Sequence, residues 1–193
     1  MRKNEMLKIF RSTQALLEGH FLLTSGLHSP QYFQCAKVLQ YPEHLEKLAG
    51  EIALHYAAMN LNVVISPAIG GIAVGQEVGR QLKCRTIFAE RENGVMTFRR
   101  GFELRPNEKV LVVEDVVTTG GSIKEVINLA KSLSAVVVGV AFIVDRSAGK
   151  VIFDVPKFSL LEMDVVTYKP DSCPLCQKNI PLVKPGSRKQ PIP

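Results

Sequence analysis

VLVVEDVVTTGGSIKEV, residues 110–126, decides how this chain is read. An apolar run leads straight into two carboxylates, Glu114 and Asp115, then into the small residues Thr118, Thr119, Gly120, Gly121 and Ser122, and then into a segment patterned as a helix. A buried strand that passes through a tight turn into a helix is a unit of a parallel α/β sheet, and such sheets bind ligands beyond the carboxyl ends of their strands. Backbone N–H groups of the turn, together with the N-terminus of the following helix, make an anion cradle. Glycines let the chain close around a phosphate, and the three hydroxyls add donors. Carboxylates repel phosphate, however, so a ligand that uses both must also carry hydroxyls or a divalent cation. A sugar phosphate satisfies that demand. The stretch has neither the G-x-x-x-x-G-K-[ST] nor the G-x-G-x-x-G spacing. The plainer alternative makes Asp115 a helix-entry carboxylate and the glycines ordinary turn residues.

Working outward, the 193 residues suit one domain, with a hood over about 18–40 and a tail over 168–193. Hydrophobic residues form 46% and charged residues 22%, which excludes a disordered chain. Arg2, Lys3, Glu5, Lys8 and Arg11 leave no room for a signal-peptide core, and no long apolar run suits a membrane span, so the expected location is the cytoplasm. A net charge of +6 comes without a dense basic block or a tryptophan, which argues against nucleic acid and for a small polyanionic ligand. Cys35, Cys84, Cys173 and Cys176 are expected as thiols. Cys173-Pro-Leu-Cys176 has the spacing of half a zinc knuckle, but no second Cys-x-x-Cys or His pair completes four ligands in the sequence, so no metal ligands are expected.

Apolar periodicity predicts a helix over 5–18 ended by Gly19, and a second helix opened by Pro42 with Leu45, Leu48, Ala49, Ile52 and Tyr56 on its inner face. Short β-branched runs at 62–66, 85–90, 109–114 and 135–144 alternate with helices at 71–82 and 122–133. That alternation predicts a mainly parallel sheet flanked by helices. Residues 91–101 are a polar connection, and the proline-rich tail is expected to be irregular, with 186–189 frayed.

Residues 112–122 resemble the phosphoribosyl-pyrophosphate signature of the type I phosphoribosyltransferases. Residues 21–33 (FLLTSGLHSPQYF), 66–71 (SPAIGG) and 144–147 (VDRS) are similar to the hood, the pyrophosphate loop and the base-binding segment of the orotate phosphoribosyltransferase family. The resemblance implies the type I fold, an α/β fold, and transfer of the phosphoribosyl group to orotate in pyrimidine biosynthesis. It implies that Glu114 and Asp115 hold the ribose hydroxyls, that Val116, Val117, Thr118, Thr119, Gly120, Gly121 and Ser122 wrap the 5-phosphate, and that Ile69 and Gly70 meet the pyrophosphate. It implies that Arg146 pairs with the orotate carboxylate, near Thr118, Ser25, Gly26, Tyr32 and Phe33. Mg²⁺, held mainly by the pyrophosphate, and a homodimer with shared sites are implied as well. Transfer to another base, or a non-catalytic sensor, are the alternatives; about 20 residues before the hood are too few for a DNA-binding module.

Three positions depart from the family pattern. Thr24 and Gly70 stand where lysines are common, and residues 91–101 hold no lysine or histidine. Arg91 matches the pattern directly; Arg99 and Arg100 are the candidates to offset charge on the leaving pyrophosphate, since arginine stabilises an anion without serving as a proton donor.

Overall fold

The computed structural model describes residues 1–23 and 25–185; Thr24 and the segment 186–189 lie outside the described residues. Helix α1, Lys3–Ser12, buries Met6 and Phe10. It stops six residues short of the expected end. Gln14 turns into the left-handed region (φ 54°), and the Ala15 N–H closes on the Phe10 carbonyl at 2.7 Å. Leu16, Leu17 and Glu18 therefore enter strand β1, Leu16–Leu22, where Leu16 pairs with Phe33 of β2, His28–Phe33. Two adjacent leucines fit either period, and tertiary pairing decides for the strand. Gly19 caps no helix: it lies where the β1–β2 register shifts, between Glu18 and Phe21.

After the short helix α2, Ala36–Leu39, helix α3, Pro42–Tyr56, begins on proline at its first turn and buries Leu48, Ala49, Ile52 and Tyr56, as its periodicity predicts. Then strand and helix alternate: β3 Val63–Pro67, α4 Gly70–Leu82, β4 Arg85–Glu92, β5 Val95–Phe98, β6 Lys109–Val117, α5 Gly121–Ser132, β7 Val136–Asp145 and β8 Lys157–Glu162. The six-stranded sheet runs β5-β4-β3-β6-β7-β8, parallel except for β5, which pairs antiparallel with β4. β6 is central. Its Leu111 and Val113 face the layer formed with α3 and α4, while Val110 and Val112 face the layer containing Ile123, Val126 and Ile127 of α5. Burial on both faces is why the strand reads as an unbroken apolar run, each fully buried side chain contributing about 1.5–3 kcal/mol.

The segment 91–101 is more regular than expected. Arg91 and Glu92 complete β4, Asn93 and Gly94 take positive φ (51° and 84°), and β5 returns. Asn-Gly is the preferred pair for a type I′ hairpin turn, whose twist matches its strands. The tail is largely irregular, as expected, but is pinned to the hood. Tyr168 and His28 exchange backbone hydrogen bonds (2.9 and 2.8 Å) on the outer edge of β2, and Val183 bonds His20 and Leu22 (both 2.9 Å) on the outer edge of β1. The short helix α6, Pro174–Gln177, lies between these pairings. The hood is thus closed on both edges by the tail, which gives an otherwise marginal two-stranded sheet its partners. Among the described residues, no helix is long and apolar enough to cross a membrane.

Candidate active site

β6 carries its two acids at the carboxyl end of the sheet, where the β3–α4 loop meets them. A Cβ on Gly70 would lie 2.7 Å from Asp115 Oδ1, and one on Gly71 would lie 2.9 Å from Glu114 Oε1. These glycines let the start of α4 close onto both carboxylates, and any side chain at 70 would have to displace the Asp115 carboxylate. Ile69, one residue earlier, is 82% exposed, so its side chain leaves the loop backbone accessible.

Removal from water pushes the Glu114 carboxyl well above the ordinary range, and the neighbouring charge of Asp115 adds to the effect. Burial raises Asp115 as well. Backbone N–H groups contribute locally: Asp115 donates to Glu114 Oε1 (3.3 Å) and Val116 to Asp115 Oδ1 (2.9 Å). No Lys or Arg among the described residues forms an ion pair with either acid. Two partly buried carboxylates without a cation suit hydroxyl donors or a hard divalent ion.

Beyond them the chain makes a small cavity of about 70 Å³, lined by Glu114 and by every residue from 116 to 123. Thr118 and Thr119 are exposed, Val117 is buried, and Gly120 adopts φ 74°. A Cβ at Gly120 would meet Val151 Cγ1 at 2.7 Å, so both conformation and space require glycine there. Gly121 and Ser122 open α5, whose first N–H groups have no intrahelical acceptor. Anion binding needs no more than this. A larger cleft of about 360 Å³, between Arg85, Gly101, Glu103, Arg105 and Glu108, lies at the amino ends of β4 and β6, the wrong edge of the sheet for a ligand of this fold class.

Arg146 follows β7, its N–H bonded to the Val117 carbonyl at 2.8 Å. Asp145 does not neutralise it. That carboxylate is fully buried, accepts from Ser147 N and Oγ (2.7 and 2.6 Å), and faces Lys157 Nζ at 3.5 Å. The guanidinium of Arg146 instead lies 5.7 Å from the Tyr32 ring centroid, with a buried Nε that has no partner. Burial lowers its pKa. Tyr32 and Arg146 therefore stand together beside the strand ends. Phe33 does not join them: it packs in the core at 5.7 Å from Phe10, which corrects the expectation that its side chain lines the site. Ser25 and Gly26 are exposed in the hairpin turn (Gly26 φ 80°) and, among the described residues, make no hydrogen bond to the strand-end groups. Buried Cys35, which the sequence did not single out, lies close enough to Asp115, Glu114 and Arg146 to feel all three charges; burial pushes its thiol well up, so it is inert lining.

The three arginines of the 91–101 segment have carboxylate partners. Arg91 reaches Glu125 of α5 (2.8 Å) and the Gly94 carbonyl (2.8 Å). Arg99 lies 3.7 Å from Glu90 and 3.3 Å from Glu92, and Arg100 lies 3.1 Å from Glu90 and over the Phe88 ring. They are thus not free cations aimed at the carboxylates of β6. The ion pairs of Arg99 and Arg100 are exposed on the arginine side and are easily exchanged for a ligand's anion.

A second cluster lies apart from this site. The hood and tail bring His20, His28, Cys173 and Cys176 together, with ligand atoms all within 4.8 Å of one another. The sequence expectation that the two cysteines lack partners is overturned, because the histidines come from a hairpin far away in the chain.

Comparison with known proteins accords with the geometry. The phosphoribosyl transferase domain family matches residues 36–167. The chain is 57% identical over 193 residues to an orotate phosphoribosyltransferase of Chlorobium phaeobacteroides, covering 100% of each, and 53% identical over 190 residues to one of Caldicellulosiruptor bescii, covering 98% of this chain and 100% of that one. Among solved structures, the orotate phosphoribosyltransferase of Aeropyrum pernix superposes with a TM-score of 0.70 at 23% identity, over 82% of this chain and 93% of that one. At that identity the likeness concerns the fold.

Proposed function

The chain belongs to the orotate phosphoribosyltransferases, within the phosphoribosyl transferase domain family, and from that membership we infer that its strand-end site moves the 5-phosphoribosyl group from phosphoribosyl pyrophosphate to orotate. The observation that carries the reading is the pairing of opposites around one strand end. Arg146, half-buried and with an Nε that has no partner, stands on one side, and two carboxylates without a cation lead into an anion-cradling turn on the other. A carboxylate-bearing base and a phosphorylated diol fit those two halves.

The bond from C1′ to the pyrophosphate oxygen breaks, and pyrophosphate leaves with the electron pair. A bond from the orotate ring nitrogen to C1′ forms as that nitrogen gives up its proton to solvent or to the leaving pyrophosphate, so no protein nucleophile is required. Glu114 and Asp115 accept the ribose hydroxyls and stabilise positive charge that builds on the sugar. Residues 116–122 hold the 5-phosphate through backbone N–H groups and the hydroxyls of Thr118, Thr119 and Ser122. Backbone N–H groups around Ile69 and Gly70 face the pyrophosphate. Arg146 grips the orotate carboxylate as a planar fork, with Tyr32 stacked against it. Arg99 and Arg100 exchange Glu90 and Glu92 for the leaving group, and Arg91 holds the hairpin to α5.

The unneutralised carboxylates and the oxygens of the donor suit Mg²⁺, which would be held by Glu114 or Asp115 with the pyrophosphate and would supply charge neutralisation there. The assembly we propose is a cytoplasmic homodimer. A direct test follows the loss of orotate's ultraviolet absorbance with phosphoribosyl pyrophosphate and Mg²⁺, with uracil and hypoxanthine in parallel. Turnover of orotate alone is expected, and its absence in a folded, donor-binding protein would overturn the reading.

A further inference from the structure

The tail enters beside His28 at Tyr168 and leaves beside His20 at Val183, so residues 169–182 cross one face of the hood. Cys173 and Cys176 sit in that crossing and meet both histidines. His20 Nε2 lies 2.9 Å from His28 Nδ1, 3.5 Å from Cys173 Sγ and 3.8 Å from Cys176 Sγ, and Cys176 Sγ lies 3.3 Å from His28 Nδ1. With metal–nitrogen bonds of about 2.0–2.1 Å and metal–sulfur bonds of about 2.3 Å, a tetrahedral site has nitrogen–nitrogen edges of about 3.3 Å and nitrogen–sulfur edges of about 3.6 Å. The observed separations match that figure to within half an ångström.

The tautomer of His20 supports the same conclusion. Its Nδ1 is 2.7 Å from the Ile180 carbonyl, which only accepts, so Nδ1 carries the proton and Nε2 presents a lone pair. One lone pair then faces an imidazole nitrogen and two sulfurs. A hydrogen-bonded histidine pair explains one of these contacts and leaves the convergence of both thiols unexplained; a shared cation explains all of them. The carbonyl bond is also the outer support that fixes a ligating imidazole. Gly19, at the register shift beside His20, has Phe21 Cζ 3.1 Å from where its Cβ would stand, so a side chain there would press on that ring.

We propose that His20, His28, Cys173 and Cys176 bind a structural zinc ion that staples the tail across the hood. Two thiolates and two imidazoles favour zinc over hard cations such as Mg²⁺, and four protein ligands leave no open position for catalysis. The staple holds the start of β2, the strand that carries Tyr32 to Arg146. The proposal does not depend on which base the enzyme uses.

The test is metal analysis of the full chain purified under reducing conditions, followed by zinc removal with a chelator and titration with Co²⁺. One equivalent of zinc is expected, and Co²⁺ should give the visible bands of a tetrahedral site together with a thiolate charge-transfer band. Cys176→Ser is the variant of choice, because Cys176 is the exposed ligand and its loss disturbs packing least. It should remove much of the charge-transfer intensity, and zinc removal should lower the melting temperature of the wild type. Protein that is isolated metal-free and shows no thiolate band with Co²⁺ would overturn the proposal, as would two of the four thiols found in a disulfide. A melting temperature unmoved by zinc removal would overturn the staple.

Discussion

The β6–α5 turn and the hood–tail cluster are both constellations of polar groups, yet they are specified in opposite ways. Everything the turn offers an anion lies between residues 114 and 122, and its donors are largely backbone groups aimed by one strand, one turn and one helix. The cluster has side chains only, and Cys176 is 156 positions from His20. A local site inherits its geometry from backbone conformation, so altering one side chain changes what it binds more than whether the chain folds. A non-local site exists only through tertiary pairing, so its members belong to the fold as much as to the ligand.

Asp115→Asn is the strongest probe of that contrast. A charge-assisted hydrogen bond contributes about 1.5–3 kcal/mol, so kcat/KM for phosphoribosyl pyrophosphate should fall roughly 10- to 100-fold. Melting temperature should not fall, because the group lost is a raised-pKa carboxyl held without a cation. A variant that unfolds would erase the distinction between the two regions. Arg146→Ala should follow, with KM for orotate rising roughly tenfold and KM for the donor little changed. The fold should again persist, since Asp145 keeps Ser147 and Lys157. Equal effects on both substrates would move Arg146 out of the base site.

The β4–β5 hairpin is intermediate: its arginines are local in sequence but engaged with Glu90, Glu92 and Glu125. Arg100→Ala should lower kcat several-fold, with orotate KM nearly unchanged. Because an exposed ion pair contributes about 0–1 kcal/mol, stability should hardly respond. Arg100 sits at φ 58°, so Arg100→Gly removes the charge without backbone strain and serves as the cleaner control. An unchanged turnover in both would show that these arginines only brace the hairpin.

The same contrast between local and non-local specification decides which features are legible in the amino-acid sequence. The six-residue slip at the end of α1 arises because Leu16-Leu17 satisfies two periods, and only the pairing of Leu16 with Phe33 selects one. The sheet is legible because the middles of β3, β6 and β7 are buried on both faces and so apolar; β8, an edge strand reading KFSLLE, carries no such signal. Asn93-Gly94 does announce a hairpin, and a turn-first reading finds it. The acids and glycines of residues 114–122 declare themselves because their spacing is their geometry. His20 and His28 give no metal signal in one dimension, since a hairpin and a tail crossing are needed to bring them to Cys173 and Cys176. The pairing of Lys157 with Asp145, which leaves Arg146 free, depends on β8 lying against β7.

The smallest expected effect is the most diagnostic of how the local site is held. Glu114 has its folded-state pKa raised, chiefly by burial, which disfavours its charged form. Its contribution is fully present below the ordinary value of 4.5 and is lost as pH rises through the raised folded value. At neutral pH the buried Glu114 carboxyl therefore works against folding. Glu114→Gln removes that penalty and keeps an acceptor for the Gly71 N–H. Measured without Mg²⁺ or donor, the variant should melt with the wild type below pH 4.5 and above it at neutral pH, by roughly 2–4 °C for each kcal/mol relieved. Its affinity for the sugar donor should fall at the same time, because the carboxylate that destabilises the empty site is the one that accepts the ribose hydroxyls. Identical melting of the two proteins across that pH range would mean that Glu114 is already ionised and satisfied in the free enzyme, and that the strand end stores no cost for its ligand to relieve.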